Sequence, residues 1–247
     1  MTPHYNAHAL GAFKLHRITN SLEAFQHSYK HGFRHFEVDV SVTQDGHFVA
    51  SHDVEHVALL TKKDFLEEKG IGGATPVSIE ELQRLMKTYP DINVMYDPSF
   101  LNGKHDDDAL QNFIHALDST LNERFIVEAY SPRQVDFLNA AGIKVILWLA
   151  ENIMPLKEYA EWAVAKKVYA VSITEWRIRN NPDIVPLLRK NGIKIYSGGW
   201  NRWAKVKEAE QMGVDFITTD ILVPGNPLLS EWNFWKFRII DKLKTII

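Results

Sequence analysis

The sequence predicts an α/β fold, a closed (β/α)8 TIM barrel, and three observations carry that expectation. Short β-branched runs alternate with amphipathic helical patterns, most regularly from residue 90 onward. Eight of those runs can be parallel, and 247 residues is the length that eight β/α units need. Gly142, Gly192 and Gly213 each stand shortly before a strand-like run, where a helix-terminating glycine belongs.

Taken in order, Tyr5-Asn6-Ala7-His8 reads as the first strand, and a helix follows near 20–31. The second strand covers 33–40. Thr43-Gln44-Asp45-Gly46 turns the chain, and His47-Phe48-Val49-Ala50-Ser51 returns beside it. The longest irregular piece, 53–77, is expected to be a flap over the site. A helix near 78–88 precedes Ile92-Asn93-Val94-Met95-Tyr96, after which Leu110, Phe113, Ile114 and Leu117 recur at helical spacing. Arg124-Phe125-Ile126-Val127 is the next strand, and Ser131-Pro132 supplies an N-cap and a first-turn proline. Strands at 144–148, 168–173, 193–196 and 216–219 then alternate with helices near 155–166, 182–190 and 202–212. A doubly wound open sheet is the runner-up, but no Gly-rich phosphate loop opens any helix. One domain over 1–247 is expected, ending in an aromatic, partly basic tail at about 225–247.

Composition narrows the function. Hydrophobic content of 45% and charge of 24% belong to an ordinary globular protein. A net charge of −3 lacks the basic excess of a nucleic-acid binder. With no cysteine, thiolate catalysis, disulfides and zinc–thiolate sites are excluded. Met1-Thr2-Pro3-His4-Tyr5 shows no signal-peptide pattern, and no apolar run approaches the roughly 20 residues of a membrane span. A cytoplasmic protein without membrane contact is therefore expected. The tail is expected to dock on the barrel as a helix, with a subunit contact as the second reading and a membrane-surface patch as the third.

Chemistry concentrates at the strand ends, where barrel enzymes carry it. Glu37 and Asp39, two apart on a strand, face the same way. Paired acids facing one way are costly unless a cation or solvent neutralises them. Such a pair alone is commonly a solvated strand end. Here His8 ends the first strand, Asp97 the third, Glu128 the fourth, Trp148 the fifth and Asp220 the eighth, while Trp200 and Asn201 follow the seventh. Ser51-His52-Asp53 closes the hairpin near the acid pair. Without cysteine, this is a hard-oxygen site suited to Mg²⁺, Ca²⁺ or Mn²⁺.

These residues carry a family resemblance. His8-Ala9-Leu10-Gly11, Thr19-Asn20-Ser21-Leu22-Glu23, Phe36-Glu37-Val38-Asp39-Val40, Thr43-Gln44-Asp45-Gly46, His52-Asp53 and Gly213-Val214-Asp215-Phe216-Ile217-Thr218-Thr219-Asp220 together resemble the glycerophosphodiester phosphodiesterase family, within the phospholipase-C-like TIM barrels. The resemblance implies a metal-dependent phosphodiesterase that takes a small glycerol- or sugar-linked phosphodiester. It makes His8 and His52 the acid–base pair and Glu37, Asp39 and Asp97 the ligands of a divalent cation. A lyase giving a cyclic phosphate, or a degenerate barrel that only binds phosphodiesters, is the alternative. Arg17, Glu128, Trp148, Trp200 and Asn201 are candidate substrate contacts. The sequence departs from the family at Ala9, where an Arg is usual, at Thr19, where a Glu is usual, and at Ser99, where a Lys is usual. Arg17 is a candidate replacement for one of those cations.

Overall fold

The computed structural model describes residues 3–101, 106–149 and 154–244. Its nine strands are β1 His4–Ala7, β2 His35–Val42, β3 Phe48–Ala50, β4 Asn93–Asp97, β5 Phe125–Ala129, β6 Val145–Trp148, β7 Ala170–Ser172, β8 Lys194–Gly198 and β9 Phe216–Thr219. All but β3 form one parallel ring in the order β1-β9-β8-β7-β6-β5-β4-β2, closed by β1 pairing with β2. Strand β3 pairs antiparallel with β2, matching Val42 with Phe48 and Val40 with Ala50. The fold is a (β/α)8 TIM barrel, and every predicted strand is present.

Period-two alternation explains how one strand serves two environments. Phe36, Val38 and Val40 of β2 are fully buried against the helices, with Phe36 ring-to-ring with Phe25 at 4.9 Å. The intervening Glu37 and Asp39 therefore point into the barrel. Below them Met95, Ile126, Ile146, Ala170, Tyr196 and Phe216 form a separate apolar plug. That plug is the floor on which the charged layer sits.

Capping starts the helices where the sequence places them. Ser21, Ser78 and Ser131 each accept a backbone N–H from three residues on, opening helices Leu22–Lys30, Ile79–Thr88 and Pro132–Ala140. The segment 53–77 is more regular than expected. Asp53 and Thr61 cap short helices Val54–Val57 and Lys62–Glu67. Runs of four and six residues are too short to show a 3.6-residue period, so only their caps betray them. The tail forms the helix Pro227–Lys244, with Ser230 and Phe237 buried beneath it. Among the described residues, no helix is long and apolar enough to cross a membrane.

Candidate active site

Register brings the three acids together. Strand β2 lies beside β4 with Asp39 opposite Asp97, and Glu37 is two residues back on the same face. One carboxylate oxygen from each of Glu37, Asp39 and Asp97 lies within 4.8 Å of the others. Oxygen ligands of one Mg²⁺ or Ca²⁺ sit about 2.0–2.6 Å from the ion, so two ligands on opposite sides span roughly 4–5 Å. The spacing fits one shared cation.

Strained backbone holds these acids in place. After β1 the chain makes a 3-10 turn over His8–Leu10 in which Ala9 (φ 49°) and Leu10 (φ 63°) adopt left-handed conformations unusual for residues with a Cβ. The turn aims the Ala9 N–H at Glu37 Oε2, 2.6 Å away. Gly11 closes it at φ 111°, where an added Cβ would lie 1.9 Å from Ser28 Oγ. Asn20 (φ 45°) donates to Asp39 Oδ2 at 2.7 Å and accepts the Asp39 N–H at 3.2 Å. Tyr130 donates a short hydrogen bond to Asp97. The Ser99 hydroxyl sits 3.4 Å from both Asp39 Oδ1 and Asp97 Oδ1.

Electrostatics point the same way. Burial, then the charge of Asp39, pushes Glu37 well above the usual carboxylate range and Asp97 up to about 6. Burial and Asp97 raise Glu128 as well. Buried acids this close resist ionisation until a cation neutralises them. Three carboxylates without sulfur make a hard donor set, so the residues present fit a divalent cation such as Mg²⁺ or Ca²⁺.

Two histidines flank the cluster. His8 Nδ1 is 2.7 Å from Asp220 Oδ1, and its Nε2 is 3.9 Å from Glu37 Oε2. Burial opposes a charge on His8, but Glu37 and Asp220 outweigh it and lift His8 to about 10. His52 follows β3 and lines the same cavity as Asp97.

A cavity of about 540 Å³ opens above the acids. His8, Glu37, His52, Asp97, Glu128, Trp148 and Asn201 all line it. Asp39 joins from beneath through the three-acid cluster. Arg17 and Trp200 are not brought there, and their expected substrate contacts are corrected. Arg17 pairs with Asp241 at 2.9 Å and lies over the Phe237 ring, turned toward the C-terminal helix. Trp200 is fully buried and donates its indole N–H to Ser197 Oγ at 2.8 Å, so it packs under the rim. Among the described residues lining the cavity there is no Lys or Arg.

Residue-by-residue reading missed the partners. Asp220 was legible as a strand-end residue but not as the mate of His8. Strands β1 and β9 pair with Ala7 opposite Thr219, so the next residues, His8 and Asp220, emerge side by side. Closure of the ring was the signal that could have revealed it. Tyr130 follows β5, and no motif marks it.

The model of the glycerophosphoryl diester phosphodiesterase family matches residues 11–222. The chain belongs to that family. Its members are phosphoric diester hydrolases, and the resemblance carried by residues 8–53 reflects that membership. A glycerophosphodiester phosphodiesterase from Caldanaerobacter subterraneus subsp. tengcongensis is 26% identical over 221 residues, covering 81% of this chain and 88% of the relative. The crystal structure of a glycerophosphodiester phosphodiesterase from Parabacteroides distasonis superposes with a TM-score of 0.74 at 18% identity, covering 97% of this chain and 98% of the other. A phosphodiesterase from Oleispira antarctica, solved with the product sn-glycerol-3-phosphate, superposes at 0.68 with 13% identity over 94% of this chain and 97% of its own.

Two of the positions read from the sequence as departures from the family pattern serve the acids. Ala9 has a fully buried side chain, and its backbone N–H serves Glu37. The Ser99 hydroxyl reaches Asp39 and Asp97.

Proposed function

We propose that this chain hydrolyses a small glycerol-linked phosphodiester, with Glu37, Asp39 and Asp97 holding a divalent cation and His8 and His52 moving protons. The carrying observation is the set of three acidic oxygens within 4.8 Å of one another, in a cavity lined, among the described residues, by two histidines and no Lys or Arg. A diester phosphate is anionic, and among the described residues this cavity offers it no fixed cationic side chain except a protonated histidine. When bound, Mg²⁺ or Ca²⁺ supplies the missing positive charge for a non-bridging phosphate oxygen and keeps the acids ionised. His8 Nε2 faces the acids while Nδ1 is held by Asp220, which orients the ring for proton transfer. His52 provides the second imidazole.

The remaining wall suits a polyol. Glu128 is buried and its Oε1 has no hydrogen-bond partner, which leaves an acceptor for a substrate hydroxyl. Thr174 Oγ1 is likewise unpartnered in the same cavity. Asn201 Oδ1 accepts from Thr219, which directs its amide N–H groups to other partners. Trp148 adds an apolar face. The product sn-glycerol-3-phosphate in the Oleispira antarctica relative supports a glycerol-type substrate here.

The reading is tested with a panel of soluble glycerophosphodiesters, chelated and then resupplied with Mg²⁺, Ca²⁺ or Mn²⁺. Release of a glycerol phosphate only in the presence of cation is expected. Turnover that survives chelation sinks the cation site, and a cyclic phosphate as the end product replaces hydrolysis with lyase chemistry. Glu128→Gln keeps the shape of the wall but loses the carboxylate. It is expected to raise KM about tenfold on a glycerol diester while kcat falls less, the pattern of lost ground-state binding. Equal KM for parent and variant removes Glu128 from substrate binding.

A further inference from the structure

The C-terminal helix Pro227–Lys244 packs beside the loops that follow β1, β8 and β9. Its 18 residues span about 27 Å, yet both halves are tied to loops that follow strand ends. Near its start the Val223 N–H donates to Ser230 Oγ at 2.8 Å, Asn233 donates to the Ile221 carbonyl at 3.3 Å, and Arg202 approaches Glu231 at 3.6 Å. Toward its end Lys236 donates to the Lys14 carbonyl at 2.8 Å and Arg17 pairs with Asp241. Residues 14 and 17 follow β1, 202 follows β8, and 221 and 223 follow β9.

The outer side of this helix carries a single apolar stripe. Leu228 (85% exposed), Trp232 (68%), Trp235 (50%) and Ile239 (58%) recur at i, i+4, i+7 and i+11. Leu15 and Ile18, after β1, and Ile71, after β3, are exposed on neighbouring loops. Contiguous exposed apolar surface of this kind marks an interaction site. The charges beside it are one-sided. Glu231 and Asp241 face Arg202 and Arg17, and the Arg238 and Lys14 side chains are exposed. The Arg238 guanidinium lies 5.5 Å over the Trp235 ring.

We propose that the outer side of this helix docks the protein onto an anionic phospholipid surface. Indole rings favour the headgroup region, and basic side chains next to them meet lipid phosphates. A second copy of the helix would bring the same cations and only carboxylates already held by arginines. The sequence ranks a membrane-surface patch third among the readings of this tail, and a helix lying in the interface plane needs no spanning segment. The docking surface requires neither a metal nor a diester, so it stands apart from the catalytic reading.

Sedimentation of the full chain with vesicles of phosphatidylcholine mixed with phosphatidylglycerol tests it, against vesicles of phosphatidylcholine alone. The parent is expected to bind the anionic vesicles with a blue shift in tryptophan emission. Trp232→Ser/Trp235→Ser is expected to lower partitioning at least about tenfold, and Arg238→Gln/Lys242→Gln to lose about tenfold of the preference for anionic lipid. All four positions are exposed, so both variants should keep the parent's melting temperature. Absence of binding to either vesicle overturns the proposal. So does a dimer in sedimentation velocity that Trp232→Ser/Trp235→Ser converts to monomer, with no vesicle binding by the parent.

Discussion

Replacing Asp39 with Asn is expected to lower kcat/KM at least about 10³-fold and to erase the rise in melting temperature that Mg²⁺ or Ca²⁺ gives the parent chain. Charge stabilisation by a bound cation contributes several kcal/mol to phosphoryl transfer, and each 1.4 kcal/mol is about tenfold in rate. Asp39 is only 2% exposed and held on two sides by Asn20, so no neighbour can swing in to replace it. For the parent, cation at about one hundred times its Kd stabilises by ~2.7 kcal/mol, which for a chain of this size is about 5–10 °C. The metal-free proteins should differ in the opposite sense. Asp39 helps to raise both Glu37 and Asp97, so removing its charge relieves repulsion and should leave the chelated variant at least as stable as the chelated parent above pH 6.

The pH dependence of the chelated parent follows from the same groups. Glu37 and Asp97 bind protons more tightly folded than unfolded, Asp97 up to about 6. Below the ordinary carboxylate range both states are protonated and nothing is lost. As pH rises through about 4 to 6 the unfolded chain ionises first, so this contribution to stability falls. A divalent cation must displace the Asp97 proton at pH 5 but not at pH 8. The cation-induced shift in melting temperature should therefore be larger at pH 8. Thermal melts with chelator or cation across that range check both points, and an equal cation shift in Asp39→Asn and parent would falsify the three-acid site.

Much of this was legible residue by residue, and the rest was not for identifiable reasons. Strand β2 announces itself through Phe36, Val38 and Val40, and the same alternation turns Glu37 and Asp39 inward. Ser131-Pro132 marks a helix start because capping is local chemistry. What local chemistry cannot encode is the closure of the ring. The His8–Asp220 pair joins residues 212 apart and exists only because β1 pairs with β9. Arg17 was placed by its charge near a phosphate, but its direction is decided by Asp241, 224 residues away. Trp200 sits at a strand end, as read, yet Ser197 and the surrounding core bury its ring. The left-handed turn at Ala9 and Leu10 carries no glycine or asparagine to signal it.

His8→Ala is expected to lower kcat about 10²–10⁴-fold on a diester with an alkoxide leaving group, with KM little changed, as loss of a general acid does. Glu37 and Asp220 hold His8 to about 10, so the metal-free ring is protonated at neutral pH and suited to donate. That role makes a prediction that a merely structural one does not. A p-nitrophenyl leaving group needs no proton, so on such a diester His8→Ala should lose less than about tenfold. His52→Ala should lose comparable activity on both substrates if it takes the proton from the attacking water. Asp220 acts through His8 and is a positioning residue. Without its carboxylate the imidazolium is less favoured, so Asp220→Asn should move the alkaline limb of the kcat profile to lower pH as well as reduce kcat. A fall in kcat with that limb unmoved would mean that Asp220 supports the closure of β1 on β9 and not the proton on His8.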